Sequence, residues 1–282
     1  MDKIDKLLAG VENLPLSPNP LPQLFKALTD DDSDRGQVVD LISFDPGLTA
    51  KLLQTCNSAL FGRAEPVNDV AEAVDRLGFQ TVYRVVAVVK GTQVLRPSRK
   101  SYGVDASTLW RHSVRTAFAA QFIAEDIGAE SGLFFTAGLL HDIGKVVLAE
   151  AFQEGYATVV SQAERCGGSV SELEQAAFGF DHAAVGGRLL AYWNFSAELV
   201  ASVGCHHHPR AALALERSAA YVQLANAVAS QPNFNEESEA NAGLGLEEGL
   251  AVLGWKLHDL ARYSERLTEN MAFVEGMARQ GG

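Results

Sequence analysis

A chain of 282 residues that is 47% hydrophobic and 21% charged has the make-up of an ordinary soluble globular protein, long enough for one large domain or two modest ones. Its formal net charge of -12 argues against a general nucleic-acid binder, which needs a basic stripe to displace counterions, and weakly against highly anionic substrates unless a metal reverses the local sign. Three widely spaced cysteines, Cys56, Cys166 and Cys205, supply no disulfide framework and fit a reducing cytoplasm.

The opening stretch "MDKIDKLLAGVENLPLSPNP" lacks the apolar core of a signal peptide and begins with a short helix. "LPLSPNPLP" follows, with prolines at every second or third residue, and reads as an extended lead-in. Short helical blocks are expected at 21–29 and in "SDRGQVVDLISF", with Ser33 as a candidate N-cap. Asp45 before Pro46 predicts a turn that opens a further helix, closed near Gly62. "VNDVAEAVDRLGF" and "QTVYRVVAVVKGTQVL" come next. The second is valine-rich, but its neighbours are all helical and no partner strand is visible, so it too is expected to be helix. Arg84 and Lys90 interrupt it, and it is too short to cross a bilayer, so no membrane association is expected.

A boundary loop is expected at about 96–104. Asp105 can cap a helix whose Trp110, Val114, Phe118 and Phe122 recur four apart, as a buried face requires, and which should end at Gly128. The segment "LLHDIGKVV" is expected to be helical, followed by helices in "FQEGYATVVSQAERCGG", "SVSELEQAAFG" and "DHAAVGGRLLAYW". "SAELVASVGCHHHP" should start at a serine cap and stop at Pro209. A helix in "SAAYVQLANAVASQ", a polar loop at 231–243 and a last helical region over 246–279 complete an all-α chain.

Six of the seven histidines fall between residues 112 and 208. One histidine on an apolar helical face is usually a hydrogen-bonded core residue. Five of them, His112, His141, His182, His206 and His207, on four expected helices together with Asp142, point to a shared site. Imidazole and carboxylate together suit zinc, iron, nickel or manganese. Adjacent helical residues point about 100° apart, so His141 and Asp142 would converge only on a site over the seam between them, and His206 and His207 likewise. Lys145 would stack over His141 or pair with Asp142. His208 beside Pro209 reads as solvated, and Cys205 as a small buried thiol.

The pattern of His112, His141 and Asp142 resembles the HD superfamily of helical metal-dependent phosphohydrolases. The chain more closely resembles the HDOD domain, a bacterial signalling module related to those enzymes. The likeness is carried by "LPLSPNPLPQL", "LISFDPGLTAKLLQTCNSALFG", "AEAVDRLGFQTVYRVV", "LWRHSV", "AGLLHDIGKVVL", "FGFDHAAVGGRLLAYWNF" and "HHHP", over about residues 14–230. The resemblance implies one continuous unit: an N-terminal helical subdomain, 1–100, packed on an HD-like helical bundle, 101–282. "NSALFG" at 57–62 and "LGF" at 77–79 either pack the N-terminal helices together or offer a partner surface at the junction of the halves.

By likeness to the HD-GYP enzymes that hydrolyse cyclic di-GMP, the resemblance implies metal ligation by His112, by His141 and Asp142, by His182, and by His206 and His207. Lys145 would face a substrate phosphate or a bridging water. Six protein ligands exceed the four of a closed zinc site and favour a dinuclear centre or one octahedral ion. Iron or manganese is expected first, with nickel or zinc after heterologous expression. The chain departs from the enzymes at two points. Asn226 in "LANAVA" stands where they carry an aspartate, and "HHHPRAALALE" lacks their GYP loop. The expected function is therefore a non-catalytic signal-transduction module. It would act through contacts with receiver, diguanylate cyclase or kinase-type signalling proteins, as separate chains or in a longer one. The alternative is a metal-dependent phosphohydrolase acting on a nucleotide or cyclic dinucleotide.

Overall fold

The computed structural model describes residues 2–11, 27, 35–43, 45–58, 66–95, 103, 105–166, 168–231 and 245–270. Every regular element among them is helical. The N-terminal part holds α1 (Lys3–Gly10), α2 (Arg35–Ser43), α3 (Pro46–Cys56) and α4 (Val70–Val94). The bundle holds α5 (Ala106–Ile127), α6 (Ser131–Leu140), α7 (Ile143–Phe152), α8 (Glu154–Cys166), α9 (Val170–Phe178), α10 (His182–Tyr192), α11 (Ala197–Gly204), α12 (Glu216–Ser230), α13 (Glu247–Leu253) and α14 (Ala261–Glu269). Short 3₁₀ segments cover Pro209–Leu215 and Leu257–Leu260. The proline-rich lead-in, the cap at Ser33 and nearly all of the loops expected at 96–104 and 231–243 lie outside the described residues; the helix that Pro46 opens stops at Cys56, with Asn57 as its C-cap, and not near Gly62.

Local chemistry explains the N-terminal elements. Asp45 caps α3 by accepting from the Leu48 N–H, with Pro46 pre-set at the first helical position. The same carboxylate takes the ammonium of Lys90, which is buried on α4, so the charge that interrupts the valine run is paired in the interior. Asn57 pairs by both ends of its amide with the backbone of Val67, which ties the end of α3 to the lead into α4. The two helices expected at 67–79 and 80–95 form one element broken at Gly78, whose φ of 74° and ψ of 156° suit glycine. Leu77 beside it is buried, whereas Phe79 is 42% exposed, and Phe61 lies outside the described residues.

The second half of α4 fits closely onto the bundle. A Cβ at Gly91 would come within 3.0 Å of Leu139 and 3.2 Å of Trp110, so glycine is what lets α4 approach α5 and α6. Phe118 and Phe135 meet edge to face at 5.3 Å in the core between α5 and α6. α12 also packs on α5, α10 packs on α7 and α11, and α1 crosses to α10, where Asp5 forms a two-pronged ion pair with Arg188.

Three further expectations are corrected. "LLHDIGKVV" is not one helix: α6 ends at Leu140 and α7 starts at Ile143, with His141 and Asp142 in the turn between. Residues 131–152 are apolar and long enough to cross a membrane by length and composition, yet 89% of that window is buried within the protein. The helix at 197 stops at Gly204, before the three histidines rather than at Pro209. The region 246–279 is split into α13, a 3₁₀ turn and α14 as far as it is described, because Gly254 takes a left-handed conformation after α13.

Candidate metal centre

The side chains of the centre come from helix ends. Asp105 starts α5 by accepting from the backbone and hydroxyls of Ser107 and Thr108, and the helix it opens carries His112. Asp181 caps α10, which makes His182 its first residue. Asp142 occupies the N-cap position of α7, yet its side chain makes no capping bond. The carboxylate is turned away from the helix amides and toward the histidines, a departure from the usual use of an N-cap aspartate. His206 and His207 follow directly on the end of α11. The convergence needs close backbone approach. A Cβ at Gly144 would stand 1.9 Å from the His182 carbonyl oxygen, and one at Gly187 would stand 2.6 Å from Gly204 Cα.

All six expected ligand residues come together in two adjoining groups. The ligand atoms of His112, His141 and Asp142 lie within 4.8 Å of one another, as do those of His182, His206 and His207. Asp142 joins the groups. Its Oδ2 is 3.4 Å from His141 Nε2 and 3.9 Å from His112 Nε2, and its Oδ1 is 3.1 Å from His182 Nε2. His207 Nε2 is 2.9 Å from His182 Nε2.

Three rings are held by their inner nitrogen. Nδ1 of His141 faces the Gly138 carbonyl at 2.8 Å, Nδ1 of His206 faces the Val203 carbonyl at 2.8 Å, and Nδ1 of His182 faces Glu174 at 2.6 Å. With the Nδ1 proton of His141 and of His206 donated to these carbonyls, the Nε2 of each presents its lone pair to the centre. His141 Nε2, His206 Nε2 and Asp142 Oδ1 are buried without a hydrogen-bond partner; the 3.1 Å approach of His182 to Asp142 Oδ1 is off the line of a hydrogen bond. Orphaned buried polar atoms are costly, and here they face one another. The donor set, imidazole nitrogens around one carboxylate, fits a divalent transition metal.

The electrostatics agree with that fit for four of the five histidines. Burial holds His112, His141 and His207 below the ordinary histidine range and His206 at about 4, so these four are neutral at pH 7, the form that ligates. His182 differs: burial acts to lower it, but Glu174 outweighs this and it is pushed up to about 9. Asp142 stays well below the usual carboxylate range: burial opposes ionisation, and His141, Lys145 and His182 overcome it.

Lys145 does not stack on His141. Its Nζ is 2.7 Å from Asp142 Oδ2, since the turn at 141–142 removes the helical spacing that stacking would need. The seam argument fails for the same reason, and for His206 and His207 as well: both pairs sit in turns, where adjacent side chains are free to converge. Asn226 reaches the centre too, close enough to act on the His112 ring. His208 is exposed and faces Glu248, and Cys205 is half-buried at the end of α11. Sequence reasoning missed Glu174, a fully buried acid that accepts from Tyr156 as well as from His182. Its signal was faint: one acid in the helix preceding a histidine-initiated helix.

A cleft of about 340 Å³ reaches the centre beside His112, Asp142 and Lys145. Leu109, Val160 and Val170 give its walls an apolar character, and Asp105 and Glu164 add acid.

The family model for the HDOD domain matches residues 14–209. A crystal structure of a candidate phosphohydrolase from Shewanella amazonensis SB2B is similar at 26% identity and a TM-score of 0.74, with 98% of each chain covered. An HDOD domain protein of unknown function from Geobacter sulfurreducens has the same fold at 23% identity and a TM-score of 0.74, over 99% of this chain and 97% of that one. Among curated relatives, an uncharacterized Treponema pallidum protein is 28% identical over 70% of this chain and 38% of its own length. Ribonuclease Y of Fusobacterium nucleatum is 28% identical over 68% of this chain and 31% of its own. The chain thus spans about a third of the length of these two relatives.

Proposed function

Because this chain belongs to the HDOD domain family, we propose that it is a signal-transduction module that acts through protein contacts, retains a metal centre and does not hydrolyse phosphodiesters. Its partners are signalling proteins of receiver, diguanylate cyclase or kinase type, in the cytoplasm, and neither nucleic acid nor membrane is among them. A solved structure of the same fold, from Marinobacter aquaeolei VT8, bears a signal-transduction name.

The observation that carries this reading is Asn226, whose amide acts on the His112 ring at the edge of the centre. A neutral amide sits where an anionic ligand would strengthen cation binding and balance its charge. Among the described residues, Asp142 is left as the carboxylate of the centre's inner face, since Glu174 is spent on Tyr156 and His182. Among the described residues, Lys145 is the cation of the cleft and is committed to Asp142, and Asp105 and Glu164, which also line it, are acids, which gives an anionic substrate little to hold. A bound divalent ion supplies Lewis acidity and, by drawing on residues from several helix ends, couples metal loading to folding.

The hydrolase reading draws on a different observation, the cleft that opens onto Asp142 and Lys145. One relative is named a ribonuclease and one solved structure a candidate phosphohydrolase. Metal-loaded protein incubated with cyclic di-GMP and with single-stranded RNA tests both. No turnover is expected. Turnover abolished by Asp142→Ala would make the protein an enzyme and overturn the proposal.

A further inference from the structure

We infer that Glu174 is the positioning residue of the metal centre, with Tyr156 as its brace, so that a three-member relay from α8 through α9 fixes the ring of His182 on α10. This deepens the metal reading and rests on it. Glu174 has no exposed surface, and a buried carboxylate survives only where its oxygens are fully engaged. Both are. Oε1 accepts from the Tyr156 hydroxyl at 2.8 Å. Oε2 accepts from the His182 backbone N–H at 2.7 Å and faces the His182 ring Nδ1 at 2.6 Å. One oxygen therefore holds both the backbone and the ring of the same residue.

That double grip has a directional consequence. Rotating the His182 ring in either sense breaks the contact to Oε2 while the backbone bond keeps the oxygen in place. Nε2 is held on the opposite side of the ring, aimed between Asp142 Oδ1 and His207 Nε2. The two histidines anchored on carbonyls, His141 and His206, need no such acid, because their acceptors lie three residues back in their own chain. His182 opens its helix, so the preceding turn offers it no helical carbonyl. Glu174, reaching from the preceding helix, replaces it. Asp181 is not available for that task, being spent on the Ala184 N–H and the Ser171 hydroxyl. An acid behind a metal-ligating histidine typically accounts for about 10–100-fold in metal affinity. Tyr156 also lines the cleft, so the relay starts at the cleft wall and ends at the centre.

The test is Co²⁺ titration of the full chain, freed of metal by chelation, with a competing chelator and the visible ligand-field spectrum as a second readout. Wild type is expected to bind with a defined spectrum. Glu174→Gln, which keeps the volume and removes the charge, is expected to weaken binding by about 10–100-fold and to change the spectrum. Tyr156→Phe is expected to weaken it by a smaller factor in the same direction. A folded Glu174→Gln with wild-type affinity and spectrum overturns the inference while leaving the metal reading intact. If Glu174→Gln fails to fold, Tyr156→Phe decides, and unchanged binding there overturns it. Wild type that binds no Co²⁺ overturns the metal reading and this inference with it.

Discussion

Asp142 Oδ1 lies 3.1 Å from His182 Nε2, although the two residues start different helices, α7 and α10. Gly144 makes that approach possible, because a Cβ there would stand 1.9 Å from the His182 carbonyl oxygen. Two backbones this close leave no room for a methyl group, and neither helix can yield without moving a member of the centre.

Gly144→Ala should therefore push α7 and α10 apart. The expected cost is about 1–3 kcal/mol of overpacking, together with loss of metal binding. Thermal unfolding and metal content of the purified variant check it. A variant with wild-type melting and metal content would mean the packing at this point is looser than the structure has it.

Lys145→Met removes the ammonium that neutralises Asp142. Without metal the variant should be less stable by roughly 1–2 kcal/mol, less than a fully buried pair would lose because Lys145 is about a quarter exposed. With metal the order reverses, since Lys145 competes with a cation for the same carboxylate oxygen, and the variant should bind tighter than wild type. Calorimetric titration with Mn²⁺ measures this, and weaker binding by the variant would assign Lys145 a supporting role in the centre instead.

Asp105 carries a pH prediction. Hydrogen bonds from Thr108 and Ser107 lower its carboxyl from 3.8 to about 2. A group whose acidity is strengthened by folding stabilises the folded state above its unfolded value, and that contribution is lost as pH falls from about 3.8 through about 2. Asp105→Asn should thus be less stable than wild type at pH 7, with the gap closing as the pH drops below 4. Urea unfolding at pH 7, 5 and 3 follows it, and a gap that stays constant with pH would show that the cap works through its shape alone.

Leu213 is 78% exposed and takes a φ of 53° and a ψ of -113°, which costs a non-glycine residue about 1 kcal/mol or more. It sits in the 3₁₀ segment Pro209–Leu215 that follows the histidine run. Leu213→Gly should leave metal content unchanged and raise the urea midpoint slightly, because the relief of strain exceeds glycine's added freedom in the unfolded chain. A lower midpoint would show that the leucine side chain packs favourably despite its exposure.

The helical class was legible because apolar spacing and caps at Asp105, Gly128, Ser196 and Asp45 are local signals, and each appears where it was expected. The gathering of His112, His141, Asp142, His182, His206 and His207 was legible from their types and from family likeness. The turns that hold them were not. The apolar flanks of "LLHDIGKVV" read as one helix, and what turns the chain at His141 and Asp142 is tertiary: the close contact of Gly144 with α10 and the pull of the other histidines on the carboxylate. Glu174 was illegible for a related reason, since nothing local distinguishes a buried glutamate from a solvated one in "SVSELEQAAFG".

The central claim is that these six residues hold metal, and elemental analysis of untagged protein tests it most directly. Wild type purified without a histidine tag should carry at least about one equivalent of a transition metal per chain, and Asp142→Ala, prepared identically, should carry none. Wild type at background, or a variant that keeps the same metal, would contradict the account.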